Sequence, residues 1–210
     1  MQYVEIFKQI NDNQIKKVFN GFIEDNENYI HKFCGEEQNL PTTFQGPSLD
    51  IDELIIKKNE QFYQVTDDGE LTLYSSAEGM EQLQMDGVKV YAMFPGLEGF
   101  YTFLVDALKP LQTAVSDHRE PSLIEYSFPW PENVLVLGNE EAKLINLPFN
   151  RELRACGEIY CGPIFILQED SKGNFVDISE ELVERLLPDI RILDTEKIPE
   201  RYNDFLMFFE

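Results

Sequence analysis

The chain has 210 residues, and its 17 Lys and Arg against 39 Asp and Glu leave a net charge of −22. A surface this acidic repels phosphate backbones and anionic lipid, whose binding depends on Lys and Arg, so neither nucleic acid nor a membrane is expected as a partner. A hydrophobic fraction of 43% with 16 Phe and 9 Tyr excludes disorder, and no run reaches the roughly 20 apolar residues of a membrane helix.

From the N-terminus, Val4, Phe7, Ile10, Ile15, Val18, Phe19, Phe22, Ile23, Ile30 and Phe33 fall near an i, i+3, i+4, i+7 rhythm. That rhythm predicts two helices, broken at Asn11, Asp12 and Asn13 and ended at Gly35. Pro41, Gly46 and Pro47 mark 39–48 as a loop, after which Ser48 or Asp50 caps a short expected helix through about Lys58. Residues 61–65 and 70–74 are β-prone runs around Thr66-Asp67-Asp68-Gly69, a hairpin signature. Ser76 is the expected cap of a helix over 77–85, and 88–94 reads as a strand stopped by Pro95 and Gly96.

A helix is expected over 97–108, disturbed near Pro110. Pro121, Pro129 and Pro131 make 117–133 a connection around a strand at 123–128. A short buried-type strand at 134–138 precedes a helix over 140–147, and 158–168 and 174–178 read as two strands joined by the turn 169–173. Ser179 opens a helix through Leu187 with Glu180, Glu181 and Glu184 near its start, where carboxylates favour the helix dipole. A last helix is expected from about Glu200, with Pro199 at its entry. The sum is an α+β fold with a mainly antiparallel or mixed sheet, a helical N-terminus and a C-terminal helix. One domain over 1–210 is expected, with any sub-boundary near 117–133.

The chemistry is sparse. His31 lies late in the second expected helix and His118 in a polar stretch, and no Ser sits in a Gly-x-Ser-x-Gly elbow. His31 and Cys34 share a helical face, and with Cys156 and Cys161 they make up the residue set of a Cys3His zinc site. The wide separation of the two halves and the missing Cys-x2-Cys knuckle argue for ordinary buried cysteines instead. Cys156 and Cys161 have too few neighbouring cations for reactive thiolates. Residues 94–99 sit between an expected strand and helix but carry neither Gly-Lys-Ser/Thr nor Gly-x-Gly-x-x-Gly, and Glu98 opposes an anion. The acidic clusters fit no EF-hand spacing. No catalytic residue, metal or cofactor is therefore expected.

Three cysteines do not make a disulfide framework, and the first residues lack the basic and apolar regions of a secretory signal, so a cytoplasmic protein is expected. Tyr202, Phe205, Leu206 and Phe209 share one face of the last expected helix, which docks on the core or forms a homodimer interface. Within it, Ile198-Pro199-Glu200-Arg201-Tyr202-Asn203-Asp204-Phe205-Leu206 resembles the Leu-Pro-x-x-Tyr-x-x-Phe-Leu segment of SUKH-type proteins, many of whose bacterial members are immunity proteins. The resemblance is confined to 198–206, at the opposite end of the chain from where that family carries the segment, and membership is not inferred from it. The expected function is occupation of a basic protein partner, as by an inhibitor or toxin-immunity protein, with Asp67, Asp68, Glu180, Glu181 and Glu184 at the contact. The alternatives are an enzyme with a site assembled from scattered carboxylates, Tyr and Cys, and a subunit of a larger assembly.

Overall fold

The computed structural model describes residues 2–25, 27–35, 43–44, 46, 48–116 and 122–193. The last expected helix, its aromatic face, the SUKH-like segment, His118 and much of the 39–48 loop lie outside the described residues. The chain divides into two compact units, Met1–Gly87 with Thr102–Thr113, and Val88–Tyr101 with Ala114–Glu210.

The first unit opens with β1 (Gln2–Asn11) and β2 (Gln14–Ile23), an antiparallel hairpin where helices were expected. The cause is a register shift opposite Val18: Ile6 pairs with Phe19 but Phe7 with Lys17. Such a bulge reverses the alternation of faces. Ile15 faces one apolar cluster, while Val18, Phe19 and Ile23 all face the other. Positions 15, 18, 19 and 23 then imitate a helical rhythm, although β-branched and aromatic residues of this kind favour a strand. The Asn11–Asn13 stretch is the hairpin turn, closed by Asn13 N–H donating to Asn11 Oδ1 at 2.9 Å.

A short helix α1 (Tyr29–Phe33) follows, capped by Asn28. The helix expected through Lys58 is instead one 3-10 turn (Ile51–Glu53) capped by Asp50, then β3 (Leu54–Lys58). Leu54 and Ile56 face one cluster and Ile55 the other, and a strand covered on both sides loses its alternating signature. The hairpin of β4 (Gln61–Val65) and β5 (Leu71–Leu73) stands as expected, with Gly69 at φ +87° in its turn. The helix expected over 77–85 is a 3-10 turn (Ser75–Gly79) and an edge strand β6 (Glu81–Leu83). The sheet order is β5-β4-β3-β1-β2-β6, antiparallel except for β2 with β6.

The second unit begins with the expected strand β7 (Val88–Met93). The helix expected over 97–108 is a strand, β8 (Phe100–Leu104), and α2 (Leu108–Ala114) starts where that helix was to end; from Thr102 to Thr113 this stretch belongs to the first unit. Pro110 sits in the first turn of α2, where its missing N–H costs nothing. Next come β9 (Ile124–Ser127), β10 (Val134–Asn139), β11 (Phe149–Leu153), β12 (Glu158–Cys161), β13 (Ile164–Glu169) and β14 (Phe175–Val176). The helix α3 (Glu180–Leu186) and strand β15 (Ile190–Ile192) close the described chain. The helix expected over 140–147 is a run of turns. One sheet has the order β8-β7-β13-β10-β9 with β14 also on β13, and a smaller one is β12-β11-β15. The apolar run at 158–168 is divided between these two sheets by a bend at Gly162, φ +67°.

The expected α+β class with mainly antiparallel sheets holds, with a strand N-terminus as the correction. None of the described helices is long and apolar enough to cross a membrane.

Candidate functional site

The best-built acidic surface lies on α3. Ser179 caps the helix by accepting a hydrogen bond from Leu182 N–H at 3.2 Å, and Glu180 and Glu181 lie in the first turn. Leu182, Val183 and Leu186 are buried in a core with Trp130, Val134, Val136 and Ile178, which fixes the rotation of the helix. The remaining face points Glu180, Glu181, Glu184 and Arg185 to solvent. Glu181, Glu184 and Arg185 line an open depression with Ser179 and Leu182.

Glu180 and Glu184 are one turn apart and stand near Tyr101 at the start of β8. Lys89 of β7 completes the arrangement: its Nζ is 2.8 Å from Glu180 Oε1 and 4.5 Å from the centre of the Tyr101 ring. Tyr91 meets Tyr101 edge to face at 5.1 Å. Burial first, then Glu180, Tyr91 and Glu184, push the Tyr101 phenol above its ordinary pKa, so it stays neutral at physiological pH. Gly99 is required here, because a Cβ would lie 2.4 Å from the Tyr91 ring. The Lys89 backbone is fixed independently: its N–H donates to Asp177 Oδ1 at 2.8 Å and its carbonyl accepts from Ile178 N–H at 2.9 Å.

Of the acids expected at a contact, the structure brings Glu180, Glu181 and Glu184 together on α3. Asp67 and Asp68 are exposed in the β4–β5 turn of the first unit. There the Thr66 hydroxyl donates to Asp68 and holds its carboxyl below the ordinary range. Lys89, Tyr91 and Tyr101 were missed by sequence reasoning. Lys89 and Glu180 are 91 residues apart, and no local pattern announces such a pair.

His31 is exposed on α1, and among the described residues no three His, Cys, Asp or Glu side chains are placed to hold a metal ion. Burial first, then Asp50 and Glu53, raise the Cys34 thiol to about 11, and burial raises Cys161 to about 11. Cys156 is exposed on the turn after β11. At pH 8 a disulfide reagent is therefore expected to label Cys156 fast and Cys34 and Cys161 slowly, with all three reacting alike in denaturant. Slow labelling of Cys156 would contradict this placement. Both raised thiols favour the protonated fold, so their stabilising effect is complete below pH 9 and is lost as pH rises toward 11.

Ser127 and Tyr160 join β9 to β12 by a hydrogen bond between their hydroxyls. Burial lifts Tyr160 to about 12, so the phenol stays protonated at neutral pH and is a poor base toward Ser127. The pair is suited to locking strands rather than to activating a nucleophile.

Residues 88–190 match a family model described as "Domain of unknown function (DUF3846)". The matched region includes Lys89, Tyr101 and α3 and excludes the first sheet. No curated protein and no solved structure matches the chain.

Proposed function

We propose that the chain is an acidic binding protein that acts by occupying the basic face of a protein partner, in the manner of an inhibitor or toxin-immunity protein. Glu180, Glu181 and Glu184 of α3 carry that contact in the second unit, and Asp67 and Asp68 of the first unit are a separate acidic turn with the same preference for a basic face. The observation that carries the reading is how the cations are used. Lys8 is held by Glu53 at 3.2 Å, Lys16 by Asp86 at 2.6 Å, Lys32 by Glu27 at 3.3 Å, Lys143 by Glu158 at 3.7 Å and Arg191 by Glu152 at 2.6 Å. Arg185, which could reach Glu181 one turn back, instead forks onto Glu132 at 2.9 and 3.4 Å. Among the described residues no cation pairs with Glu181 or Glu184. The excess negative charge is thus presented outward instead of being cancelled within the surface.

Such a field speeds encounter with a basic partner by roughly 10- to 1,000-fold, and salt screens it over about 8 Å at physiological ionic strength. The test is capture from the native host at low salt, released by a salt gradient, with the wild-type chain and with Glu180→Gln/Glu181→Gln/Glu184→Gln. The wild type is expected to retain a basic protein and release it at moderate salt. The triple variant is expected to retain roughly tenfold less, with an unfolding midpoint lowered only slightly by the lost helix-dipole and Lys89 interactions. Asp67→Asn/Asp68→Asn is expected to have a smaller effect, because Asp68 is already engaged by Thr66. Equal retention by wild type and triple variant, or a captured protein without a basic face, would sink the reading.

A further inference from the structure

We infer that residues 128–133 form a latch: Trp130 is seated in the core on which α3 packs, the Glu132–Arg185 ion pair holds it there, and the segment opens to bring Trp130 to solvent. The latch stands independently of any partner. Trp130 is 7% exposed and lies in one apolar cluster with Val134, Val136, Leu182 and Leu186. Its indole Nε1–H nevertheless has no hydrogen-bond partner, alone among the buried side-chain nitrogens and oxygens of the described residues. The seated ring forfeits a hydrogen bond that water restores when the ring lifts.

The backbone between Trp130 and β10 is loaded in the same direction. Glu132 and Asn133 have φ of +67° and +55°, two successive residues with side chains in the left-handed region. Asn tolerates that region better than Glu, so Glu132 gains by leaving it. The anchor beyond them is firm: Val134 is fully buried, and Glu169 N–H donates to the Asn133 carbonyl at 3.0 Å. On either side of Trp130, Pro129 and Pro131 have no N–H to tie the segment to a strand, and their fixed φ makes it move as one piece. Two things oppose opening. Apolar burial of so large a ring outweighs one lost hydrogen bond, which makes the closed state the majority. The other is the fork of Arg185 onto Glu132, whose side chains are 63% and 52% exposed. Lifting Trp130 takes a neighbour from Leu182 and Leu186, so the seating of α3 follows the latch.

Trp130 is the chain's one tryptophan, so its indole proton gives a single resonance. The test is hydrogen exchange of that proton in the full chain, beside the backbone amides of β10. The indole proton is expected to exchange by local opening, at a rate flat at low urea, while the β10 amides exchange by global unfolding at a rate that climbs with urea. Arg185→Gln is expected to speed indole exchange roughly threefold, the effect of losing one exposed ion pair. Glu132→Gln, which removes the charge and keeps the backbone, is expected to match it. Indole exchange that climbs with urea in step with the β10 amides would overturn the inference, because Trp130 would then be exposed only by global unfolding. An indole rate unchanged in both variants would overturn it too, by removing the ion pair as the hold.

Discussion

Replacing Arg151 with methionine is expected to destabilise the second unit by about 3 kcal/mol, read as a shift in its denaturant midpoint. Arg151 is only 2% exposed. Its guanidinium donates to Asn150 Oδ1 at 2.7 Å, to the Asn150 carbonyl at 3.1 Å, to the Phe94 carbonyl at 3.4 Å and to the carbonyl of Leu97. Asn150 extends the network to the Met93 and Gly162 carbonyls at 2.8 and 2.7 Å. Burial pulls the Arg151 pKa down from its ordinary value and Tyr91 acts the other way, so the network, not solvent, holds the charge. Methionine fills similar volume but leaves the acceptors at 94 and 97 without this donor. Arg151→Lys is expected to recover only part of the loss, because one ammonium cannot span both carbonyls and Asn150. A loss below about 1 kcal/mol for Arg151→Met would mean that water replaces the guanidinium at little cost.

Gly87→Ala has the second large effect, an expected loss of about 3 kcal/mol from combined backbone strain and overlap. Gly87 has φ +103°, and a Cβ there would lie 2.2 Å from the Leu104 carbonyl oxygen and 2.4 Å from its carbon. Both are backbone atoms, so no side-chain rotation relieves the contact. Gly79→Ala is the control: nothing lies within 4 Å of its added Cβ, and its stability is expected to change by less than about 0.5 kcal/mol. Similar midpoints for the two variants would contradict the close approach at Leu104.

Which parts of this fold can be read from residues alone follows from where polar groups are buried. The β4–β5 hairpin announces itself because Asp68-Gly69 meets the turn's demand for positive φ, and β7 and β10 do so as short, mainly apolar runs with alternating valines. The α3 cap is equally plain, since Ser179 is followed by carboxylates and then by Leu182, Val183 and Leu186 at core spacing. By contrast β11 is hidden: Asn150, Arg151 and Glu152 are all buried, and a polar run at core positions gives no hydrophobic period. The β1–β2 hairpin is disguised by its bulge, and β3 by burial on both faces. Of the candidate site, the α3 carboxylates were legible as an exposed helix turn. Lys89 and Tyr101 were not, because strand pairing and helix docking bring them to α3 from far along the chain.

The most direct measurement is a two-dimensional NMR titration of the labelled wild-type chain with a lysine-rich peptide at low salt, repeated at about 300 mM salt, where the screening length is only about 6 Å. The account predicts saturable shifts concentrated at Lys89, Tyr101 and residues 179–185, with weaker ones at Asp67 and Asp68, all collapsing at the higher salt. Shifts spread evenly over the acidic surface, or centred away from α3, would contradict it and leave the net charge of −22 as a property of solubility.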